Sequence, residues 1–466
     1  MSTGRHSPRD SDYSVIEEAG MTLGHSPKGL VLPGIDPITR REATRLCAQD
    51  YLDNHVFFND KHFHNHLNHH LLATFSLGAP ATRLQRIFDL NSTIQRPMPR
   101  MQNTEIRSDN YTDFLSREEY YPDFVAFFRG KLANAGEDWR TVATQFFFDD
   151  KLLPISMNGL FHPLIQLGYG LEFESQAIAA MGLAQACVHK NNMFSKALSA
   201  EVFQSLHDTG ACGGDMGMSL WQIVRRVRED SELVSKVQYS DVLYSSANMA
   251  AAEVLAIKHI KHWLVEPTEK SVSEKFHELM STIALVYGSM TRPGYAPMLE
   301  FAIMHLLTSS YFLPIVLEPL PVEQQAYILR VYAMMFLCVY AAKGCPELYV
   351  PHELTNPDTH GSDDSGNCWL AVFEKAIACD DIHVVKAVRG LWRGSNESSF
   401  EAPIIQKADY EYPPSVNWLY LAILTVENIT ASSFESKESE ASVGRFSWDH
   451  GMVAFDEFWN EHGRPL

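Results

Sequence analysis

"EQQAYILRVYAMMFLCVYAA", at residues 323–342, is the stretch that decides the fold class. Its apolar residues recur every three or four positions, the spacing of an α-helix. The apolar part, 326–342, contains Arg330 and is shorter than a comfortable membrane span, so we predict a buried helix. The segments 173–189, 298–317 and 368–379 show the same periodicity.

Strand-like alternation is scarce along the chain, and neither a repeat period nor a βαβ rhythm is visible. We therefore predict an all-α fold, a large single-domain helical bundle with long loops. The first 25 residues are rich in Ser, Arg, Asp and Gly, which predicts a disordered N-terminal tail at 1–25 and one helical catalytic domain at 26–466. Residues 91–114 form a candidate long loop, of the kind that often acts as a lid or a binding loop.

Composition and charge exclude several classes of function. The 466 residues carry a net charge of −19, which argues against a nucleic-acid partner because there is no cationic excess to neutralise phosphates. The polar start "MSTGRHSPRDSD" lacks the apolar core of a secretory signal. Seven cysteines without a CxxC pair indicate free thiols in a reducing compartment. We expect a soluble cytoplasmic protein with no membrane partner.

The stretch "KHFHNHLNHHLL" (61–72) holds five of the chain's twenty histidines. At 100° per residue a helix would place His62, His66, His69 and His70 on one arc, beside an apolar arc. His66 and His70 would then stand one turn apart, a spacing at which two imidazoles can share a metal ion. A solvated face, or imidazoles bonded to carbonyl groups, explains this segment equally well.

Three further histidines favour the metal interpretation. His162 directly precedes a proline that begins a predicted helix. His305 lies inside an apolar helix, where an imidazole needs an internal partner or a metal. His383 and Lys386 lie three residues apart on one helical face. Several histidines on separate apolar helices fit a metal centre in a bundle core better than unrelated structural histidines do.

Common catalytic motifs are missing from the sequence. We find no dinucleotide-binding GxGxxG after a strand, no phosphate loop, no HExxH and no GxSxG. A flavin or nicotinamide site is therefore not evident.

Four ordered blocks, at 63–79, 158–173, 292–310 and 381–392, resemble those of the questin oxidase-like family. The similarity covers essentially the whole chain after the N-terminal tail. The family occurs mainly in fungal polyketide pathways, and its members open the central ring of anthraquinones oxidatively, in chemistry described as Baeyer–Villiger-type. The resemblance implies a polycyclic quinone and O2 as substrates, and a mononuclear non-haem Fe²⁺ held by histidines and a carboxylated lysine.

By position, the implied iron ligands and catalytic residues fall on a small set of side chains. They are His66 or its neighbour His70, His162, His305, His383 and Lys386. The sequence does not decide between His66, His69 and His70, and we keep His66 and His70 as metal ligands. His62, His64 and His69 are then expected around the site or at the surface.

A carboxylated Lys386 is chemically reasonable. A buried lysine has a lowered pKa, becomes neutral and can react with carbon dioxide to give an anionic carbamate oxygen. The alternative is that Lys386 pairs with Asp380, Asp381 or Glu374. Lys375 is a second candidate, ranked lower because it has no histidine one turn away in the family blocks.

Two other functions stay open at this point. One is an NADPH-dependent Baeyer–Villiger-type monooxygenase on the same substrate class, with NADPH as the reductant. The other is a non-catalytic helical protein whose histidines bind a metal such as zinc. The exact quinone, the electron source and the oligomeric state do not follow from the sequence.

Overall fold

The computed structural model describes residues 13–190, 193–209, 217–240, 245–356, 367–397, 410–435, 448–449 and 451–466. Over these residues it contains 22 α-helices and one sheet of two short strands, which confirms the predicted all-α class. The helices are α1 Ser14–Ala19, α2 Pro37–Asp53, α3 Leu67–Ser76, α4 Ala81–Ser92, α5 Tyr121–Asn134, α6 Trp139–Phe147, α7 Leu153–Ser156, α8 His162–Glu172, α9 Gln176–Val188, α10 Ala200–Thr209, α11 Leu220–Glu229, α12 Ser231–Val234, α13 Ser246–Ile260, α14 Glu269–Ser289, α15 Phe301–Ser310, α16 Leu313–Leu317, α17 Val322–Ala342, α18 His352–Thr355, α19 Cys368–Ala378, α20 Val384–Glu397, α21 Trp418–Glu435 and α22 Asp456–His462. The strands are β1 Leu299–Glu300 and β2 Trp448–Asp449.

The N-terminal segment differs from the predicted disordered tail. Residues 1–12 lie outside the described residues, but α1 forms within 13–25 and packs against α2. Ala19, Met21 and Leu23 are buried. These apolar side chains gain enough from burial to order a segment whose overall composition is polar.

The chain divides into two compact units, which are described in turn. The first consists of Met1–Phe146 and Pro163–His189. In it α2 packs against α1, α3 and α4, and α5 packs against α9. The alanine-rich helix predicted at 173–189 is α9, and it is buried on every side. A Cβ on Gly170 would lie 2.4 Å from the backbone nitrogen of Ala179, so α8 and α9 can approach this closely only with glycine at this position.

The second unit consists of Phe147–His162 and Lys190–Leu466. Its central helix is α17, the stretch quoted first, which packs against α13, α14 and α15. By length and composition α17 alone among the described helices could span a membrane, yet 89% of its apolar window is buried inside the protein. The prediction of a buried core helix is therefore confirmed. The prediction of a single catalytic domain from residue 26 onward stays a prediction.

A short parallel sheet brings the C-terminal part of the chain to the start of α15. Leu299 pairs with Trp448, and Glu300 pairs with Asp449. The Glu300 carboxylate accepts a hydrogen bond from the backbone nitrogen of Ile303 at 2.7 Å and so caps α15. Its other oxygen lies 2.7 Å from Nζ of Lys343, in a buried ion pair. These contacts fix the first turn of the helix that carries His305.

Candidate metal centre

Three of the predicted histidines lie together in the second unit. His162 is the first residue of α8, His305 is in the middle of α15, and His383 directly precedes α20. The ring centroids of His162 and His305 are 4.9 Å apart, and those of His305 and His383 are 5.1 Å apart. A ring nitrogen of His162 and one of His305 lie within 4.8 Å of each other. All three residues are buried. Segments far apart in the sequence thus contribute imidazoles to one buried region.

Two of these rings have Nδ1 within hydrogen-bond distance of a carbonyl oxygen, and the third has Nδ1 near a carboxylate oxygen. Nδ1 of His162 lies 2.5 Å from the carbonyl oxygen of Gly159, and Nδ1 of His305 lies 2.8 Å from that of Phe301. Nδ1 of His383 is 3.6 Å from Oδ1 of Asp381. A carbonyl oxygen can only accept, so Nδ1 carries the proton in the first two rings and Nε2 carries the lone pair. This is the arrangement that histidines use when they bind a metal through Nε2.

An unusual turn places His162. Gly159, Leu160 and Phe161 have φ values of 57°, 52° and 64°, in the left-handed region that non-glycine residues rarely adopt. The Phe161 ring packs on the Tyr332 ring at 5.0 Å, and the Tyr332 hydroxyl donates to the carbonyl oxygen of Leu306 on α15. Packing therefore holds a costly backbone conformation directly beside a candidate ligand, as is common at functional sites.

Lys386 lies in the first turn of α20 and is 3% exposed. Burial lowers its pKa to about 7, although the charge of Asp381 acts in the opposite direction. Over the part of the chain that the structure describes, Nζ has no hydrogen-bond partner, so the alternative ion pairs with Asp380, Asp381 and Glu374 are not formed. Lys375, by contrast, is largely exposed and pairs with Glu427 at 3.0 Å. Lys386 is the better candidate for a reactive neutral amine.

Asp381 is the residue that the sequence prediction undervalued, since it entered only as an alternative partner of Lys386. Its Oδ1 accepts hydrogen bonds from the backbone nitrogens of His383 and Val384, at 2.7 and 3.1 Å, and so caps α20. Burial acts to raise the pKa of Asp381, but the hydrogen bond and the charge of His383 outweigh it and hold that pKa below its ordinary value. An aspartate two residues before a histidine at a helix start is the sequence signal that could have identified it.

The histidine-rich stretch of the first unit differs from the predicted helix. α3 begins only at Leu67, and His66 is the residue before it, while His62 has a φ of 60°. The Asn59 side chain closes a turn by accepting from the backbone nitrogens of Lys61 and Phe63. Asn side chains compete in this way with helical hydrogen bonding, which explains why a helical pattern stays irregular here.

His66 and His70 still lie one helical turn apart, because the backbone N–H of His70 donates to the carbonyl oxygen of His66 at 2.9 Å. His69 and His70 are both buried, and the His69 ring stacks on Tyr169 at 5.3 Å. His64, expected around the site or at the surface, is also buried, with its Nε2 3.0 Å from Nε2 of His189. The assignment of His66 and His70 as ligands stays a prediction.

A buried carboxylate anchors this stretch. Oδ1 of Asp50 on α2 accepts from the side-chain amides of Asn65 at 2.7 Å and Asn54 at 2.8 Å. Asn65 in turn accepts from the backbone nitrogen of Leu67 at 2.9 Å, at the start of α3. Burial raises the pKa of Asp50 to about 6, against the effect of both amides. The residue before His66 is therefore held by a hydrogen-bond chain that begins on α2.

The second-unit residues fit a divalent first-row metal ion. Imidazole nitrogens suit iron and zinc, and the acceptors on Nδ1 of His162, His305 and His383 are the partners that metal-bound histidines need. Lys386 adds a buried amine that can lose its proton, and Asp381 adds a buried carboxylate. An apolar side chain also contacts the histidines: the Phe301 ring lies 4.4 Å from the His305 ring and 5.0 Å from the His383 ring.

Comparison with known proteins gives the following matches. A family model described as questin oxidase-like matches residues 63–391. An "Oxidoreductase AflY" of Aspergillus parasiticus is 29% identical over 85% of this chain and 80% of its own length. A "Questin oxidase" of Aspergillus terreus is 26% identical over 90% of this chain and 91% of its own length. A "Baeyer-Villiger oxidase GME11358" of Pestalotiopsis microspora is 25% identical over 82% and 86%.

Proposed function

Because this chain belongs to the questin oxidase-like family and is an oxidoreductase, we propose that it opens the central ring of an anthraquinone-type polyketide with O2 at a mononuclear non-haem Fe²⁺ centre. The names of its relatives, questin oxidase and Baeyer–Villiger oxidase, support the substrate class and the reaction type. The observation that carries the iron part is the buried group of His162, His305 and His383, in which Nδ1 of the first two rings bonds to a carbonyl oxygen and Nδ1 of His383 lies 3.6 Å from a carboxylate oxygen.

The overall reaction balances without a further oxidant. Insertion of one oxygen atom between a ring carbon and its carbonyl carbon gives a lactone, and water opens the lactone to a benzophenone-type carboxylic acid. With the hydroquinone form of the substrate as the source of two electrons and two protons, the second oxygen atom leaves as water. With the quinone form, NADPH supplies those electrons instead.

Each residue has a defined task in this proposal. A bound Fe²⁺ would supply the activation of O2. His162, His305 and His383 would hold it through Nε2, because hydrogen bonds and the nearby carboxylate occupy their Nδ1 sides. Lys386, neutral above a pKa of about 7, would react with carbon dioxide to give a carbamate and a proton, adding the negative charge that imidazoles lack. The Phe301 ring keeps water from the His305 and His383 rings.

His66 and His70 are proposed as further ligands on the sequence prediction and the family resemblance. Buried His70 and the capping position of His66 on α3 are compatible with this role.

Metal removal tests the proposal. We expect purified protein to contain close to one iron per chain, and chelation to abolish both O2 consumption and ring opening of an anthraquinone, followed by mass spectrometry. Adding Fe²⁺ back should restore both. Iron-free protein with full activity would refute the iron part, and a stoichiometric requirement for NADPH would show which electron source the enzyme uses.

A pair of histidine variants locates the site. His305→Gln is expected to lose bound iron, whereas His259→Gln should retain it. His259 is a matched control because it is also a buried histidine of the second unit, but its Nε2 bonds to Asp230 at 2.9 Å. Equal iron content in the two variants would contradict the assignment of His305.

A further inference from the structure

Trp448, outside the part of the chain that the family model matches, contacts the candidate centre. It is 4% exposed, and its Nε1–H donates to Oδ1 of Asp381 at 3.1 Å. The Trp448 ring also lies edge-on to the ring of His383, with centroids 6.3 Å apart. The indole therefore touches both members of the Asp381–His383 pair.

The Asp381 carboxylate is held at one oxygen. Oδ1 accepts from two backbone nitrogens of the α20 start and from the Trp448 indole, and the same oxygen faces Nδ1 of His383. The two backbone donors belong to the turn that Asp381 itself begins, so they hold Oδ1 only relative to that turn. The indole comes from a different segment and adds a third donor to Oδ1, which joins the carboxylate to strand β2.

Trp448 is itself fixed by strand pairing. It sits opposite Leu299 in the parallel sheet, and Gly451, three residues later, accepts a hydrogen bond from Nζ of Lys343 at 3.3 Å. Strand β1 leads directly into α15, which carries His305. One short C-terminal segment is thus joined to the helix of His305 by backbone pairing and to the turn of His383 by a side chain.

We propose that Trp448 is a positioning residue: through Asp381 it holds His383 in the tautomer that carries hydrogen on Nδ1 and leaves the lone pair on Nε2. This inference rests on the proposed function only for its metal, because the tautomer of His383 is a property of the metal-free protein. Removing the indole N–H takes away the donor that comes from outside this turn, so Asp381 is held less firmly beside Nδ1 and the preference of the His383 ring for one tautomer weakens.

The test compares Trp448→Phe with Trp459→Phe in the full chain. Trp459 is a matched control, since it is 2% exposed and its Nε1–H donates to the carbonyl oxygen of Val453 at 2.8 Å, away from the carboxylate. ¹⁵N NMR of histidine-labelled, metal-free protein at pH 8.5 or higher, about two units above an ordinary histidine pKa, reports the tautomer. The His383→Gln spectrum identifies the resonances of His383.

We expect the Nδ1–H tautomer of His383 in the natural protein and in Trp459→Phe, and a mixture of tautomers in Trp448→Phe. Titration with Co²⁺ as the metal probe should give a dissociation constant about tenfold weaker for Trp448→Phe. An unchanged His383 tautomer in Trp448→Phe would overturn the proposal. If the natural protein binds neither Co²⁺ nor Fe²⁺, the iron proposal fails while the tautomer measurement still decides the role of Trp448.

A second variant covers the case in which Trp448→Phe does not fold. Asp381→Asn should give the same mixture of His383 tautomers, because an amide can present its NH2 group to Nδ1. Where Trp448→Phe folds, the double variant with Asp381→Asn should bind metal no more weakly than Asp381→Asn alone, since both changes act through one group. Additive losses would show that Trp448 acts independently of Asp381.

Discussion

Replacing Lys343 with methionine is expected to destabilise the second unit by several kcal/mol. Lys343 and Glu300 form an ion pair with Nζ and Oε1 2.7 Å apart, and their side chains are 3% and 1% exposed. Removing the cation leaves a carboxylate buried beside apolar helices, and breaking such a pair costs about 3–5 kcal/mol. Because Glu300 also caps α15, part of the loss should appear as weaker order around His305.

Urea unfolding followed by circular dichroism measures the change, and Lys375→Met is the matched control. Lys375 also pairs with a glutamate, at 3.0 Å, but both side chains are more than half exposed. Such a surface pair contributes less than about 1 kcal/mol. The double variant Lys343→Met/Glu300→Gln should recover most of the loss, because the glutamine can still cap α15 without a buried charge. Equal effects of Lys343→Met and Lys375→Met would refute the reasoning.

Three further outcomes are expected. Burial lowers the pKa of Lys386 from 10.5 to about 7, so between these pH values the unfolded chain binds one more proton than the folded chain does. Metal-free protein should therefore become more stable as the pH rises from 7 toward 10. Lys386→Met should remove this part of the rise in urea midpoints measured over a pH series. Gly170→Ala should lower the melting temperature by overpacking against Ala179, at a cost of about 1–3 kcal/mol, whereas Gly130→Ala, with open space around its Cβ, should raise it slightly. Burial raises the pKa of Asp50 to about 6, so the folded chain holds this proton more tightly than the unfolded chain does. The stability that this gives below pH 4 should be lost as the pH rises through 6, and Asp50→Asn should flatten the decline in the same assay.

The sequence predicts the helices that carry the centre because each is long and strongly periodic. Periodicity places His305 inside an apolar helix, and Pro163 marks the helix start next to His162; both features are present in the structure. The burial of Lys386 could also be predicted from the sequence, since the residue lies on the apolar side of α20. Local sequence is sufficient where one helix determines the environment of a side chain.

Contacts between distant segments could not be predicted from the sequence in this way. The start of α3 depends on Asn59 and Asn65, whose side chains compete with a helix that the apolar spacing alone favours. Asp381 and Trp448 are 67 positions apart, and no periodic pattern connects them. Their contact depends on a two-residue strand pairing that is too short to leave an alternating signal in the sequence.

The parallel pairing of β1 with β2 also has a consequence for the order of folding. The ribosome completes α15, α17 and α20 well before Trp448 is synthesised, so these helices can pack before the strand that supports Asp381 exists. Closing so long a loop is slow relative to helix formation. We therefore expect nascent chains to acquire their helical core before the contact of Trp448 with Asp381 forms, so that binding of the proposed metal would follow the packing of the helices.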